Sequence, residues 1–125
     1  MNRREFVFAG VTAATAAACA LPMAQASRPV FAVIFDRRFA AAHAFANAAA
    51  WRGHRVFGYG GDLTAVWLGE IEPRWARRAG ALAGMSTPAA LFCLEQLAAQ
   101  HWLRVVTRSE QQTATGERLI SWVIA

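Results

Sequence analysis

Val30-Phe31-Ala32-Val33-Ile34-Phe35, bounded by Pro29 and Asp36, is the stretch on which the fold turns. It is an unbroken apolar run of β-branched and aromatic residues, without polar alternation. That pattern suits a strand buried on both faces, as in a parallel sheet covered by helices. A helix over 38–52 follows, with Gly53 as its C-terminal stop. At about 100° per residue, Ala41, Ala42, Phe45, Ala48 and Ala49 share one face, with His43 and Asn47 opposite. An alanine-lined face lets a helix lie close on a sheet, the packing of a βαβ unit.

The pattern repeats outward from that unit. Residues 54–59 read as a second strand and Gly60-Gly61-Asp62 as a turn, with Asp62 placed to cap a short helix reaching Trp67 or Leu68. Pro73 suits the first turn of another short helix, roughly 73–79, ended by Gly80. Residues 81–85 read as a third strand. Ser86 or Thr87 then caps a helix from Pro88 to about Trp102, with Leu91, Leu94, Leu97, Ala98 and His101 on its inner face. Residues 103–107 and 118–124 are the last strands. The short polar loop around Thr115-Gly116 between them favours a hairpin, hence an antiparallel final strand. The order β-α-β-α-β-α-β-β predicts an α/β fold: a three-layer sandwich with a mostly parallel, four- to five-stranded sheet.

Residues 1–26 read differently from the rest. Arg3, Arg4 and Phe6 resemble the twin-arginine translocation motif, departing from its usual form at Asn2, Val7 and Phe8. A weakly apolar stretch from Val7 to Leu21 follows. Pro22 breaks it, and Ala24-Gln25-Ala26 supplies a small-x-small cleavage site. The resemblance implies a cleavable signal over 1–26, recognition by the twin-arginine machinery, and periplasmic delivery of an already folded domain over 27–125. An uncleaved signal would leave an inner-membrane anchor instead, although the stretch is short and alanine-rich for a membrane span. A lipoprotein reading through Cys19 is disfavoured by Ala16, three residues before it. Beyond the signal, the chain resembles small exported proteins of Gram-negative bacteria, and that general likeness transfers no active-site residue.

Composition restricts the function classes. The 125 residues hold 13 basic side chains, all arginine, against 8 acids, for a formal charge of +5. Losing Arg3, Arg4 and Glu5 with the signal brings that to +4. Together with abundant alanine this reads as genomic bias, and it gives no ground for nucleic-acid binding. Cys93 would be the one thiol left after cleavage, so the domain would hold no internal disulfide. Core or boundary packing is its expected role. Three histidines and one cysteine without ligand spacing indicate no metal, and no cofactor motif is present; Gly60-Gly61 lacks the spacing of a dinucleotide fingerprint.

Open α/β sheets bind ligands beyond the carboxyl ends of their strands. Those ends carry Asp36, Arg37 and Arg38, then Gly60, Gly61 and Asp62, then Ser86 and Thr87, a rim suited to an anionic ligand. Each of these residues also has a plain structural use in ending a strand, permitting a turn or capping a helix. A partner surface is expected at Arg74, Trp75, Arg77 and Arg78 on the short helix and at the outward-facing Phe92, since tryptophan and arginine concentrate in interface hot spots. The leading expectation is an exported binding or accessory protein that docks on another exported protein or on itself. A small hydrolase or transferase, with Asp36 or Asp62 as base and Arg37 or Arg38 neutralising an anion, is the alternative. A purely structural exported domain is a third.

Overall fold

The computed structural model describes residues 28–77 and 80–125. The export residues Arg3, Arg4 and Phe6, and Arg78 of the expected partner surface, lie outside the described residues. The elements are β1 (Val30–Asp36), α1 (Ala40–Trp51), β2 (Val56–Tyr59), α2, β3 (Ala81–Ser86), α3 (Pro88–Ala99), β4 (Val105–Gln112) and β5 (Arg118–Ile124). Here α2 is one helical run over 64–76, made of Thr64–Val66, a π-helical Trp67–Ile71 and Glu72–Ala76. Two separate short helices were expected in its place. The π turn explains the difference: the Glu72 N–H reaches back five residues to the Trp67 carbonyl. That widening just before Pro73 accommodates a residue that lacks an N–H and would otherwise break the helix.

The strands form one five-stranded sheet in the order β2-β1-β3-β5-β4. β1 pairs in parallel with β2 and β3, whereas β5 is antiparallel to both β3 and β4. The protein is thus mixed α/β with a mixed sheet, where the sequence suggested a mostly parallel one. β5 is the reason: it leaves the β4 hairpin and returns between β3 and β4. The expectation that the last strand runs antiparallel holds.

β1 is buried on both faces. Ala32 and Ile34 join one core cluster, with Trp67, Ile71, Trp75, Leu82, Leu91, Leu94, Ile120 and Trp122. Val33 joins the other, with Ala42, Phe45, Ala49, Ala81, Ala83, Met85, Leu119 and Val123. Gly84 in β3 is dictated by close approach, because a Cβ there would sit 2.6 Å from the Trp122 ring and 2.7 Å from the Ile34 carbonyl oxygen. β5 is almost wholly buried, whereas β4 carries Arg108, Ser109 and Glu110 in the open. A polar strand of that kind belongs on a sheet edge.

The sheet order also positions the site. The chain steps from β1 to β2 on one side, then crosses to β3 on the other. The carboxyl ends of β1 and β3 therefore flank a switch in strand order, where α/β sheets commonly open a crevice.

Candidate functional site

β1 delivers Asp36 at its last position, fully buried. A buried carboxylate needs a partner, and the chain supplies one two residues on. Arg38 donates its backbone N–H to Oδ1 at 3.0 Å, Nε to Oδ1 at 2.9 Å and Nη2 to Oδ2 at 2.6 Å. Burial by itself would raise the Asp36 pKa. The Arg38 hydrogen bonds, with the charges of Arg38 and Arg37, outweigh it and hold the carboxyl below its ordinary value. The same contacts raise the pKa of Arg38, whose side chain stays 53% exposed. Asp36 thus anchors a guanidinium at the surface, and neither of its oxygens is free to act as a base.

The other rim residues divide. Arg37 turns toward β2, donating Nη1 to the Gly58 carbonyl at 2.9 Å and lying over Gly60. His43 covers this side, with Nε2 2.9 Å from the Arg37 carbonyl and its ring edge-on to Phe35. Ser86 is buried; its hydroxyl donates to the Thr87 carbonyl and accepts from Trp122 Nε1, each at 3.0 Å. Tyr59, also buried, has no hydrogen-bond partner for its hydroxyl among the described residues. Burial, then the Asp36 charge, pushes its pKa up, so the phenol stays protonated; the nearby Ser86 hydroxyl, short of hydrogen-bonding geometry, and Arg38 oppose this.

Arg38, Gly61, Asp62 and Thr87 come together at the mouth of a cavity of about 590 Å³ between α2 and α3. Gly61 has φ +116°, a conformation that favours glycine, and its missing Cβ would lie 3.6 Å from Arg38 Nη1. Asp62 accepts the Thr64 backbone N–H at 2.9 Å and the Thr64 hydroxyl at 2.7 Å, both on Oδ1. These bonds lower its pKa and favour the charged form. Thr87 caps α3, its hydroxyl oxygen accepting the Ala90 N–H at 3.3 Å. Behind this mouth the walls are apolar: Leu63, Trp67 and Leu68 from the α2 side, Ala89, Ala90, Cys93 and Leu97 from α3.

The sequence alone does not mark these wall residues as a site. A signal was present in the spacing of Ala89, Ala90 and Cys93, small side chains one turn apart that leave room beside a helix. Cys93 is exposed and lines the cavity, where packing in or beside the core was expected. Arg38 also borders a second opening of about 460 Å³, between 39–41 and the β4–β5 turn.

Trp75 corrects the expected partner surface. It is buried, edge-on to Trp67 at 5.4 Å and 6.1 Å from the His101 ring. The continuous α2 run puts Ile71 and Trp75 one turn apart on the same inner stripe, so the indole is core. Arg74 is drawn back along the helix, donating Nη1 to the Glu70 carbonyl and carboxylate. Arg77 is exposed, as is Phe92 at 61%. Trp51, the last residue of α1, and Trp102, just past α3, are more exposed still, at 91% and 95%. Among the described residues no group of three or more His, Cys, Asp or Glu side chains is placed to hold a metal ion, and no helix is long and apolar enough to cross a membrane.

Comparison with protein families, with curated proteins and with solved structures finds no match.

Proposed function

We propose that this chain is an exported binding protein whose receptor site is the cavity between α2 and α3. One observation carries the reading: an apolar-walled cleft opens beside an arginine held in place by a buried carboxylate. Small-ligand sites combine these traits, with mostly apolar walls, a few fixed polar groups and volumes of roughly 300–1,000 Å³. An arginine oriented before the ligand arrives loses less freedom on binding. Supporting the same layout, α1 packs on one core cluster and α2 and α3 on the other, which we read as the two interfaces of a three-layer sandwich.

The reading ranks above hydrolysis or transfer on geometric grounds. Catalysis by the rim carboxylates would require Asp36, Asp62 and Ser86 to converge on one cleft. Asp36 and Ser86 are sealed and bonded within the protein, and Asp62 alone reaches the cavity. Docking on another exported protein is the second reading, favoured by Leu68, 58% exposed at the cavity wall, and by Phe92 on the same helix as Cys93 and Leu97.

Export and binding are tested separately. Replacing Arg3 and Arg4 by lysine should strand the chain in the cytoplasm of a Gram-negative host, seen by fractionation, and unchanged periplasmic delivery would remove the export half of the proposal. Binding is read by fluorescence of N-phenyl-1-naphthylamine, an uncharged apolar dye that meets neither charge at the mouth as a like charge. Saturable binding at one site, weakened in Ala90→Leu, is expected. Binding that is absent, or indifferent to Ala90→Leu, would remove the receptor half.

A further inference from the structure

Two groups of opposite charge stand at the cavity mouth. Arg38 commits Nε and Nη2 to Asp36, and Nη1, which has no hydrogen-bond partner among the described residues, lies beside Gly61. Asp62 commits only Oδ1, to Thr64, and Oδ2 is left to accept. Both side chains line the same cavity, and among the described residues no ion pair joins them to each other. Thr87 adds a hydroxyl on the same lining.

This pairing selects among ligands. An apolar acid would meet Arg38 but bring its negative charge against Asp62. An apolar amine would satisfy Asp62 but meet Arg38. Like charges at close range are costly, and such repulsion is a common source of specificity. A ligand bearing an ammonium and a carboxylate on one carbon can answer both groups with charge-assisted hydrogen bonds. Its remaining substituent must be apolar, because Trp67, Leu68 and Leu97 form the wall behind.

We propose that the cavity takes a large apolar α-amino acid, its carboxylate on Arg38 Nη1 and the Thr87 hydroxyl, its ammonium on Asp62 Oδ2, and its side chain against Trp67, Leu68 and Leu97. The inference rests on the cavity being the receptor site and adds the class of ligand. At about 590 Å³ the chamber has room for an aromatic side chain.

Calorimetric titration with three compounds sharing one phenyl ring tests it: L-phenylalanine, 3-phenylpropanoate, which lacks the ammonium, and 2-phenylethylamine, which lacks the carboxylate. L-Phenylalanine should bind about tenfold or more tighter than either, since each truncation removes one charge-assisted bond. Asp62→Asn retains the Oδ1 acceptor for Thr64, so the turn persists. It should erase the advantage over 3-phenylpropanoate while leaving that acid bound as well or better. Ala90→Leu, which adds bulk to the chamber wall and touches neither charge, should weaken binding of all three alike.

Equal binding of L-phenylalanine and 3-phenylpropanoate, or a preference indifferent to Asp62→Asn, overturns the amino-acid proposal. So does failure of all three compounds on a protein that still binds the dye, and in these cases the cavity remains a receptor for another ligand. Failure of the dye as well removes the receptor reading itself.

Discussion

The two core clusters are packed by different rules. In one, α1 sets Ala42, Phe45 and Ala49 against Val33, Ala81, Ala83 and Met85, with alanines meeting alanines. In the other, α2 and α3 bring Trp67, Ile71, Trp75, Leu91 and Leu94 onto Ile34, Leu82, Ile120 and Trp122. Small side chains let a helix settle onto its strands with little room to adjust. Large ones hold two helices out from the sheet, and where α3 turns small at Ala89, Ala90 and Cys93 a chamber is left between α2 and α3. The cavity is thus a consequence of how one cluster is filled, with Arg38 fixed beside it by the end of β1.

Substitutions break or sharpen that contrast in a definite order. Trp122→Ala strikes the large-residue face at its centre, removing a fully buried ring and the partner of Ser86, and should cost about 3–5 kcal/mol in chemical denaturation. Arg38→Met comes next. It leaves Asp36 buried without its ion pair, for a loss of about 1–3 kcal/mol at neutral pH, and it changes the sign of the pH dependence. In the native protein the Asp36 pKa lies below 3.8, so its stabilisation is full above that value and is lost as pH falls through the lower folded one. Without Arg38, burial raises the folded pKa, so the penalty is absent in acid and grows as pH rises through about 4. Stability curves of the two proteins at pH 3–7 check this slope.

A matched pair compares the faces directly. Ala49→Leu adds three carbons to the tight α1 contact and should cost about 1–3 kcal/mol through overpacking. Ala90→Leu adds the same atoms to the chamber and should change stability by no more than about 0.5 kcal/mol. Equal losses for the pair would refute the contrast. The smallest effects are expected at Arg77→Ala and Phe92→Ala, exposed positions where the midpoint should move by within about 0.5 kcal/mol.

Much of the architecture was legible because local chemistry and tertiary packing agree. The apolar run at 30–35 is the central strand, the alanine face of α1 meets the sheet, and Thr87 with Pro88 starts α3. What was not legible depends on how elements meet. Trp75 read as a surface residue because the helix was broken at 68 and restarted at 73, and the π turn that joins the pieces has no local signature. At the rim, Asp36 and Ser86 end β1 and β3, but the sequence does not show that Arg38 and Trp122 occupy their hydrogen-bonding groups. The chamber walls were hidden for a related reason: Leu97 belongs to an apolar stripe whether it faces a neighbour or a void, and only the spacing between helices decides.

The central claim, that the α2–α3 chamber receives a ligand, is tested most directly by backbone amide NMR during titration with N-phenyl-1-naphthylamine. The account predicts saturable shifts confined to 61–68 and 87–97, with the amides of α1 unmoved. Shifts centred on Trp51 or Trp102, or spread evenly over the domain, would contradict it.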